Sequence, residues 1–172
     1  MNAPTLAESM IETPIGRLGL LATERGLVKV ALATEPFELV ADQVATLLGA
    51  RPTDQPNRLD DTKRQLNQYF EKNRRVFDLR LDLSLVKGFT RRVVRQIEAI
   101  AYAHTVSYGE IAAALGRPGA ARAVGRACGA NPLPVVIPCH RVIRADGSLG
   151  GFGGGLDVKR TLLRLERGSA PC

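Results

Sequence analysis

The chain has 172 residues, is 45% hydrophobic and 24% charged, and carries a formal net charge of +7. That length supports one large domain or two small ones with a buried core, and no apolar run reaches the roughly 18 residues of a membrane-spanning helix. Three cysteines (Cys128, Cys139, Cys172) and two histidines (His104, His140), with no Cys-x-x-Cys, exclude a disulfide framework and speak against a protein-built zinc site.

The first residues, Met1-Asn2-Ala3-Pro4-Thr5, lack the basic and apolar regions of a secretory signal. A cytoplasmic, metal-free protein with reduced thiols and no membrane association is expected. Its charge is uneven. Residues 1–83 hold 11 Lys and Arg against 12 Asp and Glu, whereas residues 84–172 hold 13 against 5. The basic excess of the second half fits a polyanion partner, or a positive surface kept for solubility.

Residues 9–34 alternate like a β-meander. Strands are predicted over 9–13, 17–23 and 27–33, with turns at Pro14-Ile15-Gly16 and Glu24-Arg25-Gly26. Phe37, Val40, Ala41, Val44, Leu47 and Leu48 recur at helical spacing, so Phe37–Leu48 is predicted as an amphipathic helix. A loop over 49–57, with Pro52 and Pro56, leads to a second helix over 58–72 and a strand over 76–83. No titratable residues converge in this half, which leaves it a scaffolding role.

A helix is predicted over 90–101, with Phe89, Val93, Val94, Ile97, Ile100 and Ala101 toward a core and Arg91, Arg92 and Arg95 mostly outward. Ser107-Tyr108-Gly109-Glu110 is a Ser-x-x-Glu capping box that opens a short helix ending near Leu115-Gly116. Pro118 stands where a first-turn proline opens another helix, over 119–130. Two short helices joined by a tight glycine-containing turn make a helix-turn-helix. The second helix has a surface of small residues (Ala120, Ala121, Ala123, Gly125, Ala127). Arg122 and Arg126 lie one turn apart on it, and Arg117 stands ahead of it. Close approach to DNA and tight internal packing both explain such a surface; the arginines favour DNA.

Asn131-Pro132-Leu133-Pro134 then forces an extended turn, and the apolar run Val135-Val136-Ile137 leads to Pro138-Cys139-His140-Arg141-Val142. Thiolate is the reactive form of cysteine, and a neighbouring imidazole or cation raises its population. A held nucleophile is one reading of the Cys-His pair, and a buried structural cysteine explains it equally well. A turn at Arg144-Ala145-Asp146-Gly147-Ser148, a Gly-rich loop over 150–155 and a closing helix over Leu156–Arg167, with Lys159 and Glu166, complete the chain. The loop lacks the Gly-Lys-Ser/Thr ending of a phosphate-binding loop, and its close-approach amides suit a flat ligand instead.

In order and spacing, Val106-Ser107-Tyr108, Ala121-Arg122-Ala123-Val124-Gly125, Asn131-Pro132, Ile137-Pro138-Cys139-His140-Arg141-Val142 and Gly154-Gly155-Leu156, with Lys159 and Glu166, form one set. This set resembles the C-terminal domain of the O6-alkylguanine-DNA alkyltransferases. The first half is similar to that family in architecture only. The resemblance implies a two-domain α/β protein. Residues 1–83 would be an N-terminal ribonuclease-H-like scaffold of sheet and helices. Residues 84–172 would be a mainly α winged-helix or helix-turn-helix domain that binds DNA and carries the chemistry.

The resemblance further implies direct-reversal DNA repair in which Cys139 accepts the alkyl group of O6-alkylguanine, with O4-alkylthymine a further candidate substrate. His140 would take the thiol proton through a water, and Glu166 would orient His140. The thioether product has no good leaving group, so the protein would be consumed in one turnover, with no cofactor. Tyr108 would contact the base edge, the carbonyls of Cys139 and Val142 would accept from the exocyclic amine, and the Gly153 amide would donate toward O6. Phe152 would form an apolar wall and Asn131 would brace the turn before the cysteine. Lys159 would support the pocket, or simply be a solvated helix lysine. Arg122 would fill the gap left by a flipped nucleotide in the minor groove of double-stranded DNA, helped by Ala121, Arg126 and Arg117. A monomer is expected, with cooperative binding along DNA left open.

Three departures from the family pattern stand out. Gly153 replaces a frequent serine, Phe152 a frequent tyrosine, and Cys128 a frequent methionine or other apolar residue. Cys128 is read as a small hydrophobe, with a second reactive thiol as the alternative. The first half has no cysteine or histidine, so the zinc that some members bind is not expected. His104 is read as a surface residue at a helix end. A non-catalytic lesion-binding or helix-turn-helix regulatory protein is a competing reading, but it has no need of Cys139, His140 and Glu166 together. A cysteine hydrolase is another, and it leaves the Arg122 helix unexplained.

Overall fold

The computed structural model describes residues 2–168, and the chain divides into two compact units, Met1–Leu85 and Val86–Cys172. Cys172 itself lies outside the described residues.

In the first unit, β1 (Thr5–Thr13), β2 (Gly16–Thr23) and β3 (Gly26–Ala31) form the expected antiparallel meander. The sheet order is β3-β2-β1-β4, where β4 (Arg51–Pro52) runs parallel to the start of β1. The predicted loop over 49–57 therefore contains a short strand. The Arg51 amide donates to the Pro4 carbonyl at 2.8 Å and the Thr53 amide to the Leu6 carbonyl at 3.0 Å. α1 (Phe37–Leu48) lays Val40, Ala41 and Val44 on Leu6, Leu21, Val28 and Ala31. Full burial of each Val or Leu in this layer contributes about 1.5–3 kcal/mol. The helix stops at Gly49, which adopts the left-handed conformation with φ 60°.

α2 (Asp60–Phe70) is shorter at both ends than the predicted 58–72, and a 3₁₀ turn over Pro56–Leu59 precedes it. The strand predicted over 76–83 does not form. Its partners are single groups: the Leu27 amide donates to the Arg80 carbonyl at 2.9 Å and the Asp82 amide to the Leu27 carbonyl at 2.8 Å. The Gln65 side chain exchanges two 2.8 Å bonds with the Asp78 backbone, a side-chain amide standing in for a neighbouring strand. Gly26 permits this approach, because a Cβ there would lie 2.2 Å from the Arg80 carbonyl oxygen. The segment ends on Asp82, whose carboxylate accepts from Thr23 Oγ1 at 2.5 Å, the Ser84 amide at 3.0 Å and Arg25 Nε at 3.2 Å. Burial pushes the Asp82 carboxyl up, but the Ser84 and Thr23 bonds and the Arg25 charge outweigh it, leaving the pKa below the usual value.

The second unit contains α3 (Gly88–Glu98), α4 (Tyr108–Ala114), α5 (Ala121–Gly129) and α6 (Leu156–Arg167). A two-stranded parallel sheet joins β5 (Val106–Ser107) to β6 (Val142–Ile143). α3 lies N-terminal of the predicted 90–101, because residues beyond Glu98 unwind; it buries Val93, Val94 and Ile97. The capping box of α4 is complete. Ser107 Oγ accepts from the Glu110 amide at 3.1 Å, and the Glu110 carboxylate accepts from the Ser107 amide at 2.7 Å. Pro118 does not open α5. It sits in a turn closed by the Ala120 amide on the Arg117 carbonyl at 2.9 Å, and the helix starts at Ala121 rather than 119. With Val124 and Ala127 buried, α5 packs against α3 and α4 as the second helix of the helix-turn-helix. No helix among the described residues is long and apolar enough to cross a membrane.

Candidate active site

Between α5 and β6 the chain is tied so that one side chain is held still. Asn131 Nδ2 donates to the Ile137 carbonyl at 2.9 Å, and its Oδ1 accepts from the Leu133 amide at 3.0 Å. The Ile137 amide closes on the Leu133 carbonyl at 2.8 Å, so the apolar run is a tight turn rather than an extended approach. Val135 within it has φ 74°. For a β-branched residue that conformation costs on the order of 1–3 kcal/mol, and the complete burial of the side chain holds it there. Pro138, at φ −81° and ψ 63°, makes an inverse γ-turn that brings the Cys139 amide to 2.8 Å from the Ile137 carbonyl. Cys139, His140 and Arg141 then form a single 3₁₀ turn, all three buried.

His140 is 0% exposed, and its Nε2 lies 2.7 Å from Glu166 Oε1. Glu166, from α6, also accepts from Arg141 Nε and Nη2, each at 2.9 Å, and from the Ala103 amide at 3.2 Å. Arg141 completes its own bonding with Nη1 on the Ile100 carbonyl at 2.6 Å and stacks its guanidinium over the Tyr102 ring. The carboxylate partner assigns the ring hydrogen to Nε2, which makes Nδ1 the accepting nitrogen. Nδ1 is buried and has no hydrogen-bond partner among the described residues. Burial holds the His140 pKa below its usual value; Glu166 pulls it up, while the Arg141 and Lys159 charges add to the lowering. His140 is thus a neutral base at pH 7. Burial pushes the Cys139 thiol up, against the pull of Asn131, Lys159 and the amides of Cys139 and His140. Cys139 therefore rests as a thiol.

Cys139 opens onto a cavity of about 670 Å³. Tyr108 forms one wall; α5 contributes Ala121, Arg122, Gly125 and Arg126; Phe152 and Gly153 come from the Gly-rich loop. Burial raises the Tyr108 pKa, with both thiols adding to the shift, so the phenol stays protonated and able to donate. Gly150 is required here, since a Cβ on it would lie 2.7 Å from Tyr108 Oη and its φ is 69°. Lys159 is not a solvated helix lysine. It is 0% exposed, and its Nζ donates to the carbonyls of Val142 at 2.6 Å, Gly151 at 3.2 Å and Leu149. It therefore ties the Gly-rich loop to β6, and it occupies one side of the Val142 carbonyl. Cys128 also lines the cavity, but burial and the neighbouring Cys139 push its thiol up to about 12, so it behaves as a small apolar residue.

Of the residues singled out from sequence, Cys139, Tyr108, Ala121, Arg122, Arg126, Phe152 and Gly153 meet at the cavity. His140, Glu166, Asn131, Val142 and Lys159 are buried behind it. Arg117 is not among the lining residues and instead packs its guanidinium 5.4 Å over the Phe89 ring. His104 is exposed, with Nδ1 at 2.9 Å from the Tyr102 carbonyl. The sequence reading gave no role to Arg141, Arg144 or Gly150. Arg141 carried a usable signal, because an arginine inside the apolar run around Cys139 has to find a carboxylate.

Two family models match the chain. They are the ribonuclease-like domain of 6-O-methylguanine DNA methyltransferase over residues 6–83 and its DNA-binding domain over residues 88–168. The chain belongs to the 6-O-methylguanine DNA methyltransferase family. A methylated-DNA--protein-cysteine methyltransferase of Mycolicibacterium paratuberculosis is 44% identical over 161 residues, covering 94% of this chain and 92% of the relative. The solved structure of a Mycobacterium tuberculosis O6-methylguanine methyltransferase superposes with a TM-score of 0.83 at 40% identity, covering 97% of this chain and 96% of that one. A Mycobacterium tuberculosis OGT in complex with DNA superposes with a TM-score of 0.80 at 39% identity, covering 95% and 92% of the two chains. The methyltransferase fold read from the sequence, a ribonuclease-like domain followed by a helical DNA-binding domain, is the fold observed. Every cavity-lining residue named above belongs to the second unit of this methyltransferase.

Proposed function

We propose that this methyltransferase repairs DNA by direct reversal, moving the alkyl group of O6-alkylguanine onto its own Cys139. The observation that carries the reading is a cavity-lining cysteine followed directly by a buried histidine whose far nitrogen is fixed on a carboxylate. His140 Nδ1 takes the thiol proton, through a bridging water, and Glu166 stabilises the imidazolium. The sulfur attacks the alkyl carbon, the carbon–O6 bond breaks, and its electron pair leaves on the guanine, which Tyr108 assists as a proton donor. The thioether has no leaving group, so each molecule acts once.

The base is reached by flipping, since a stacked O6 is inaccessible to a side chain. Arg122, exposed on α5, fills the vacated space in the minor groove, and the Ala121 and Gly125 surface permits the close approach. Arg126 and Arg117 add positive charge for the phosphates. The Cys139 and Val142 carbonyls take the exocyclic amine, the Gly153 amide points to O6, and Phe152 closes the apolar side. The protein acts as a cytoplasmic monomer on double-stranded DNA. With a methylated duplex in excess, lesion loss should stop at one per protein molecule; continued turnover would contradict the self-alkylation chemistry. Binding should weaken steeply with added salt, as it does when lysines and arginines displace counterions from phosphates.

A further inference from the structure

Arg144 has no part in the reaction as derived above, yet it lines the same cavity. The parallel pairing of β5 with β6 sets Val106 against Val142 and Ser107 against Ile143, and the residues that follow the two strands, Tyr108 and Arg144, both line the cavity. The main chain at Arg144 is fixed by its own turn. Its amide donates to the Ser148 carbonyl at 2.9 Å, and its carbonyl accepts from the Gly147 amide at 3.0 Å. The nearby Asp146 carboxylate is engaged by the Ser148 amide at 2.9 Å and hydroxyl at 2.6 Å. Among the described residues no carboxylate forms an ion pair with the Arg144 guanidinium, which is exposed at the cavity mouth.

An extruded nucleotide stays linked to its strand by two phosphodiesters. The base can enter the cavity that Tyr108, Cys139, Phe152 and Gly153 line, but the phosphates are too strongly hydrated to follow and come to rest at the mouth. A guanidinium presents a planar fork of donors that matches two phosphate oxygens, and it gives up its hydration more readily than an ammonium. Arg122 and Arg126 both ride on α5. Arg144 is the cavity-lining cation that comes from a different element. We propose that Arg144 binds a phosphate flanking the flipped nucleotide, so that the lesion is gripped from the active-site turn as well as from the DNA-facing helix. This rests on the repair reading given above. The Arg144 charge acts on Tyr108 and Lys159 at the cavity, and also on the Asp146 carboxylate two residues on, which is already engaged by Ser148.

The test is a cycle between protein and DNA. Single-turnover repair is measured for the wild type, Arg144→Ala and Arg144→Lys. The substrates are a duplex containing O6-methylguanine, the same duplex with one neutral methylphosphonate 5′ or 3′ of the lesion, and the free base O6-benzylguanine. Losing one charged hydrogen-bond pair should slow Arg144→Ala roughly 10- to 100-fold on the normal duplex, with a much smaller loss on the free base. At one of the two positions, the methylphosphonate should slow the wild type comparably and slow Arg144→Ala no further. Arg144→Lys should lie between, keeping the charge without the fork. Penalties that multiply at both positions would overturn the assignment. So would equal losses on duplex and free base, which would put Arg144 on the base instead. A wild type that repairs no duplex at all would contradict the repair reading itself, a result distinct from either of these.

Discussion

Asp82 in the first unit and Glu166 in the second are carboxylates of nearly equal burial, 4% and 5% exposed, and each is bonded to an arginine. Their partners differ. Asp82 accepts from two hydroxyls, an amide and an arginine whose side chain is 65% exposed, and these partners close back on one another, the Arg25 amide on Thr23 Oγ1 at 3.2 Å and Arg25 Nη2 on Ser84 Oγ at 2.7 Å. Glu166 accepts from an imidazole whose other nitrogen is buried and unbonded among the described residues, next in sequence to a cavity-lining cysteine. A buried carboxylate thus points to chemistry when its partner carries a second functional atom onward. When the partners only bond back to one another, it points to a knot that holds loops together.

The sharpest way to break this comparison is to neutralise each acid in turn. Glu166→Gln should cost roughly 3–5 kcal/mol of stability, because Arg141 is left buried without its counter-charge. It should also slow alkyl transfer by about 10² or more, because His140 loses the group that orients it and stabilises its charged form. Asp82→Asn should cost about 1–3 kcal/mol through its hydrogen bonds and leave transfer per folded molecule unchanged. Urea unfolding with single-turnover kinetics measures both, and a transfer defect in Asp82→Asn comparable to that in Glu166→Gln would erase the distinction.

Arg122→Ala probes the DNA side of the same unit. Repair of a duplex should fall about tenfold more than reaction with a free O6-benzylguanine, since only the duplex has a gap to fill. Equal losses on the two substrates would move Arg122 out of that role.

The two carboxylate clusters also separate by pH. The depressed His140 pKa means that transfer should stay level as pH falls through about 6.5, where an ordinary imidazole protonates, and decline only below it. An acid limb centred at or above that value would mean His140 is not the base. Asp82 gives the smallest effect and acts on stability alone. Its folded pKa is depressed, so its contribution is complete above the unfolded value of about 3.9 and is lost as pH falls through the lower folded value. Asp82→Asn should remove that acid-side loss from the unfolding profile.

Legibility in the sequence followed the range of the interactions. α1 and the capping box of α4 were readable because local spacing and a four-residue motif determine them. The strand expected over 76–83 failed because its alternation is real but its partners are single groups, the Leu27 backbone and the Gln65 side-chain amide from α2. β4 was hidden by its proline, Pro52, and depends on carbonyls of residues 4 and 6. At the site, Cys139, His140 and Glu166 came from family resemblance, since a Cys-His pair alone is ambiguous. The clamp of Arg141 on Glu166 and the three carbonyls around Lys159 join residues far apart in the chain; the apolar run around Arg141 signals that it needs a carboxylate, but no local pattern says which one.

The most direct measurement is the intact mass of the protein after incubation with a duplex carrying a single O6-methylguanine, followed by peptide mapping. The expected result is one added methyl group on Cys139, saturating at one per molecule and absent from Cys139→Ser, which should still bind the duplex. An unchanged mass, or a methyl group on Cys128, would contradict the assignment of Cys139 as the acceptor.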